Sequence, residues 1–164
     1  MGTPLRTIVE TMGGGATPGR SIKAVQTGGP SGGCVPASVI DTPVDYHSLK
    51  ALGTIMGSGG MVVLDDTTNM VDLAAFFIAF SREESCGKCI PCRSGTVQLE
   101  MLLRKLLERR GNAADLSQLE SLCHTVADAS LCGLGQSAPK PVLSTLRHFR
   151  SDYLELLQPA EVAR

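Results

Sequence analysis

The sequence predicts a small mixed α+β domain followed by a four-helix bundle, and two observations carry that fold class. Thirteen of the 18 glycines fall within residues 1–68 and only five within 69–164. The first part is therefore punctuated like short strands and turns, and the second like long helices. Apolar residues of the second part recur at helical spacing in four segments joined by short connections, the pattern of a bundle. The change of composition falls near Asp65 to Asn69. It divides the chain into domains at 1–66 and 67–158, with a tail at 159–164.

In the first domain, Thr3 can cap a helix whose first position is Pro4. Leu5, Ile8 and Val9 form its apolar face, and Gly13-Gly14-Gly15 stops it. Ile22 to Thr27 alternates as a strand should. Cys34 to Ile40 is a weaker strand interrupted by Pro36, and Met61 to Leu64 is a short apolar run expected to be a buried strand. In the second domain, Asn69 caps a helix over about Met70 to Glu84 with Leu73, Phe76, Phe77 and Phe80 on its inner face. A second helix runs over about Ser94 to Arg110, stopped by Gly111, with Val97, Met101, Leu102 and Leu106 inward. A third starts at Asp115, with Gln118 completing a capping box, and carries a stripe of Leu116, Leu119, Leu122, Cys123 and Val126. A fourth starts near Pro141 with Val142, Leu143, Leu146, Phe149, Tyr153 and Leu157 at helical spacing.

Composition excludes several functions. The chain has 164 residues, 43% hydrophobic and 19% charged, enough for a real core. Its net charge of −1 speaks against a nucleic-acid binder, which needs a basic stripe. The longest apolar run, Leu73 to Phe80, is far short of the roughly 20 residues that span a bilayer. No membrane insertion is expected. With no basic-then-apolar leader at the start, a cytoplasmic location is expected.

The informative residues are cysteines: Cys34, Cys86, Cys89, Cys92, Cys123 and Cys132. Three of them sit in Glu84-Ser85-Cys86-Gly87-Lys88-Cys89-Ile90-Pro91-Cys92-Arg93. Thiolates at i, i+3 and i+6 converge when a tight loop wraps one object; Gly87 relieves the backbone and Pro91 stiffens the turn. A zinc site normally draws ligand pairs from two separated knuckles. A cubane iron–sulfur cluster suits three close ligands plus one distant one. The bacterial ferredoxin run would place its fourth Cys where Thr96 stands, so the fourth ligand lies elsewhere. Cys132 lies in a small-residue loop after a helix end, and Cys123 lies on an apolar helix face. The loop favours Cys132, because ligands need adaptable backbone and a buried thiol on a helix face is commonly core. His124 and Cys34 read as a helix-surface histidine and a buried strand residue. Lys88 and Arg93 lie within the motif. Positive charge there favours the reduced, more negative cluster and so raises its potential, if solvent does not screen it. The alternative is a zinc-stabilised interaction module using the same thiols without redox activity.

No catalytic residue is assigned. Asp65-Asp66 and Glu83-Glu84 are adjacent pairs without defined acid–base geometry. Gly57-Ser58-Gly59-Gly60 has no following Lys-Ser or Lys-Thr, so it is not a P-loop. Gly28 to Gly33 lacks the strand–loop–helix setting of a dinucleotide fingerprint. Turn chemistry accounts for both loops.

The run Cys86 to Gly95 resembles the iron–sulfur region of the NADH-oxidising flavoprotein subunit of complex I and its relatives. Ser130-Leu131-Cys132-Gly133-Leu134-Gly135-Gln136 matches that family's fourth-ligand segment, and Gly28 to Cys34 and Met56 to Met61 match two further family segments. Asp41 to Tyr46 and Gln136 to Val142 look most like the diaphorase subunit of bidirectional NAD-reducing hydrogenase. The resemblance implies a β-grasp (ubiquitin-like, SLBB) domain and a four-helix bundle carrying one [4Fe–4S] cluster. It also implies Cys86, Cys89, Cys92 and Cys132 as the ligands. The family's FMN- and NADH-binding domain precedes these two and has no counterpart in this sequence. FMN and NAD(H) are therefore expected only in a full complex, and this chain alone is not expected to oxidise NADH. The implied partners are the flavin-bearing domain or chain and other iron–sulfur subunits of a hydrogenase, formate dehydrogenase or complex I-type assembly.

Overall fold

The computed structural model describes residues 1–158; the expected tail at 159–164 lies outside the described residues. The protein is of mixed α and β type, with one three-stranded sheet and several helices. It forms two compact units, Met1–Thr68 and Asn69–Arg164. At the end of the first unit the Thr67 and Thr68 hydroxyls donate to the Asp65 carboxylate, and Lys23 Nζ donates to the Thr68 carbonyl.

The first unit opens with a wide-turn π-helix, Thr7–Met12, ended by Gly13. Thr3 does not cap it. The Leu5 and Arg6 N–H groups donate instead to the carbonyls of Thr42 and Ile40, so distant backbone replaces the local cap. The sheet has the order β2-β1-β3, with β1 at Ile22–Thr27, β2 at Gly33–Pro36 and β3 at Met61–Asp65, and both pairings are antiparallel. Val25 faces Val35 on one side and Val63 on the other. β2 stops at Pro36 and the chain turns as a short 3₁₀ helix, Ala37–Val39, because proline cannot extend the ladder. β3 is an edge strand, not a buried one: Leu64 is buried but Val62 is exposed. A short helix α1, Tyr46–Ala51, has no periodicity that predicts it. Its signal is Asp45, whose carboxylate accepts from the Ser48 N–H and hydroxyl. Leu5, Val9, Val25, Val35, Ile40, Val44 and Leu49 form the unit's apolar core.

The two glycine loops pack on each other: a Cβ on Gly57 would lie 2.8 Å from the Gly28 Cα. Beneath them Thr54 Oγ1 accepts from the Gly33 N–H at 2.8 Å and pairs with Thr27 Oγ1 at 2.8 Å. Close backbone approach thus accounts for Gly28, Gly32 and Gly57.

The second unit contains α2 (Met70–Glu83), α3 (Ile90–Leu107), α4 (Ala113–Ala129), α5 (Gly133–Ser137), α6 (Lys140–His148) and α7 (Arg150–Leu154). Asn69 caps α2 through bonds from the Val71 and Asp72 N–H groups. Two expected faces are corrected. On α2 the buried stripe is Val71, Ala74 and Ile78 with Phe77, while Phe76 is 65% and Phe80 45% exposed. On α3 it is Leu99, Leu103 and Leu106, while Met101 is 65% exposed. α4 is capped by Asn112, not Asp115; Asp115 is the third helical residue and returns the bond to the Asn112 N–H. The expected fourth helix is broken at Phe149 into α6 and α7. Tyr153 is wholly buried, and its hydroxyl lies 2.7 Å from Thr145 Oγ1. Residues of α2, α3, α4, α6 and α7 share a single apolar core.

Candidate metal centre

α3 begins at Ile90, four residues before the expected start. Pro91 occupies the first turn, where a missing N–H costs nothing. That places Cys89 at the N-cap of α3 and Cys92 at its third residue. Gly87, at φ +73°, reverses the chain before them. Cys132 is the N-cap of α5. Two of the thiols therefore stand at helix N-termini, where the partial positive charge of unpaired N–H groups favours anionic sulfur.

The Cys86–Cys92 loop and the Cys132 loop are brought together by close packing. A Cβ on Gly135 would collide with Ser130 Oγ and lie 3.0 Å from the Cys92 Cβ, so only glycine lets α5 approach α3 this closely. Gln136 Nε2 also donates to the Ser130 carbonyl at 3.1 Å. Cys86, Cys89, Cys92 and Cys132 all line one cavity of about 120 Å³, together with Glu84, Ser85, Lys88 and Leu134. Cys92 is 6% exposed, whereas Cys86 and Cys132 are open to solvent. The cavity thus has a buried floor and an open rim. Among the described residues no three His, Cys, Asp or Glu side chains gather tightly enough for a single metal ion. The four thiols share the lining of one cavity.

The surroundings of Cys89 favour its thiolate. The backbone N–H groups of Leu131 first, then of Cys92 and of Cys89 itself, hold its pKa below the usual thiol value against the opposing effect of burial. Ser85 Oγ lies 3.2 Å from Cys92 Sγ and accepts from the Gly87 N–H at 3.3 Å. Arg93 donates to the Gly87 carbonyl at 3.1 Å, which latches the loop, while Lys88 borders the cavity and is exposed. The donor set, four thiols on two loops around one cavity, fits a cubane cluster.

Cys123 does not line the cavity. It is wholly buried in the helical core, and burial, with the charge of Glu120 adding, pushes its thiol up to about 12. His124 is exposed on α4 and likewise stands outside the cavity lining. Cys34 is buried in edge strand β2 and donates to Gln26 Oε1 at 3.0 Å. Ser85 and the Leu131 N–H are site groups that sequence reasoning missed. Ser85 adjoins Cys86 and could have been suspected, but a backbone N–H aimed at sulfur has no sequence signature.

Residues 72–156 match the family model described as the NADH-ubiquinone oxidoreductase-F iron-sulfur binding region. The chain belongs to this family. Over 153 residues it is 48% identical to the HndC subunit of the NADP-reducing hydrogenase of Solidesulfovibrio fructosivorans, covering 93% of this chain and 31% of that protein. Over 154 residues it is 42% identical to the F 2 subunit of the NADH-quinone oxidoreductase of Rhizobium meliloti (strain 1021), covering 94% of this chain and 37% of that protein. The crystal structure of an NAD⁺-reducing [NiFe]-hydrogenase in the H₂-reduced state superimposes with a TM-score of 0.83 at 30% identity, over 98% of this chain and 27% of that chain. The chain thus spans about a third of the length of these curated relatives. The NADH-ubiquinone oxidoreductase-F region accounts for the second unit and contains all four cavity cysteines. Its relatives include both hydrogenase and quinone-reductase subunits. No helix among the described residues is long and apolar enough to cross a membrane.

Proposed function

We propose that the second unit is a one-electron relay, with Cys86, Cys89, Cys92 and Cys132 as the ligands of one [4Fe–4S] cluster. The observation that carries this reading is the convergence of four thiols from two separate loops on one cavity. When bound, such a cluster supplies one-electron transfer. The residues of this chain do the rest. The cysteines hold the group; the N-termini of α3 and α5 and the N–H donors at Cys89 favour the anionic ligand state. Burial of Cys92 keeps water from that sulfur, and Lys88 at the rim adds positive charge. The open side, at Cys86 and Cys132, is where electrons would enter or leave.

In this reading the second unit has the family's four-helix-bundle arrangement and the first is its β-grasp (SLBB) domain. Neither is catalytic alone. In the complete assembly electrons would pass between an FMN and NAD(H) site on a flavin-bearing domain or chain and further clusters in partner iron–sulfur subunits of a hydrogenase, formate dehydrogenase or complex I-type oxidoreductase, in the cytoplasm. Metal and sulfide analysis of anaerobically prepared chain tests the proposal. About four irons with matching acid-labile sulfide per chain are expected. Tightly held zinc without sulfide would replace the relay with a structural module.

A further inference from the structure

We infer that Ser85 sets the potential of the cluster site by donating its hydroxyl proton to the Cys92 sulfur. The inference rests on the cluster reading above. Ser85 follows the end of α2, where its N–H donates to the Arg82 carbonyl and fixes the residue against the loop. Its oxygen accepts from the Gly87 N–H at 3.3 Å and lies 3.2 Å from Cys92 Sγ. A ligating sulfur carries no proton, and the Gly87 N–H can only donate. The direction is therefore settled: the hydroxyl proton points to sulfur.

The other hydroxyls near the site are committed elsewhere. Thr96 Oγ1 donates to the Cys92 carbonyl at 2.8 Å. Ser137 Oγ donates to the Gly133 carbonyl at 2.6 Å. Ser130 donates its single hydroxyl proton to the Val126 carbonyl at 2.6 Å. Cys92 is the most buried of the four ligand thiols, so a donor there is least screened by water. A hydrogen bond to ligand sulfur stabilises the more negative reduced state more than the oxidised one, and so raises the potential. Ser85 is a positioning and tuning residue, not a ligand.

The test uses the full chain reconstituted anaerobically, with iron content, redox titration and pulsed electron paramagnetic resonance before and after exchange into D₂O. Ser85→Ala is expected to keep its iron, to titrate at a lower midpoint potential, and to lose one strongly coupled exchangeable proton. Ser85→Thr, which keeps the hydroxyl, is expected to retain the wild-type potential and that proton. If Ser85→Ala does not load, the Thr variant decides: a lowered potential there overturns the inference. An iron-replete Ser85→Ala chain with unchanged potential and proton couplings also overturns it, and leaves the relay standing. Failure of the wild-type chain to bind iron and sulfide would instead overturn the relay itself.

Discussion

Cys123 and Cys132 lie nine positions apart and differ in everything that decides ligation. Cys132 stands at the N-cap position of α5 on an open rim; Cys123 is sealed in the core with its thiol pushed up to about 12. At neutral pH Cys123 therefore stays protonated and inert. Alkylation of the cluster-free, folded chain followed by peptide mass mapping should label Cys86 and Cys132 and spare Cys123. Cys132→Ser should abolish iron retention, while Cys123→Ala should keep it at a modest cost in stability. Lys88 and Arg93, neighbours within one motif, separate in the structure. Arg93 is bound to the Gly87 carbonyl, whereas Lys88 lines the cavity edge and faces solvent. Redox titration of Lys88→Ala should give a lower midpoint potential in a cluster-replete chain; an unchanged value would mean that solvent screens the ammonium.

At the scale of elements, the helix starts carry definite expectations. Asn112 and Asp115 exchange bonds in a capping box, so Asn112→Ala should destabilise the second unit by about 1 kcal/mol in denaturant unfolding. Gly135→Ala drives a methyl into Ser130 and Cys92. It should separate the two ligand loops and lower iron occupancy while far-UV circular dichroism changes little. Existence and order of the main elements are legible in the sequence. β1 stands where the alternation of Ile22 to Thr27 puts it, and α2 and α4 where apolar spacing puts them. What periodicity cannot decide is phase. Phe76 and Met101 belong to stripes as regular as those of Ala74 and Leu103, and only packing between helices chooses. Helices as short as α1 and α5 show no period; α1 is marked only by Asp45 at its cap, and α5 has no capping side chain to mark it. The four cavity cysteines are legible because metal ligation needs residue types that nothing else explains. The donors around them are hidden because most are backbone.

For the whole molecule, stability and redox function are separable. Asp45 is held below its usual range by the Ser48 N–H first and then the Ser48 hydroxyl, and Asp115 by its bond from Lys105 first and then the Asn112 N–H. Both folded-state pKa values lie below the unfolded value of about 3.9, so their stabilisation is complete above that pH and is lost as pH falls through the folded values. Melting temperature should fall on acidification below about pH 4, and Asp115→Asn should flatten that fall in a thermal circular dichroism series. Neither group lines the cysteine cavity, so the loss tracks folding and not ligation. The central claim is that four thiols of this chain enclose one redox-active cubane. Electron paramagnetic resonance of the anaerobically prepared, dithionite-reduced chain tests it most directly. The account predicts a near-stoichiometric, fast-relaxing signal of a reduced [4Fe–4S] cluster that disappears in Cys132→Ser. A silent spectrum from a fully folded wild-type chain, reconstituted with iron and sulfide, would contradict it.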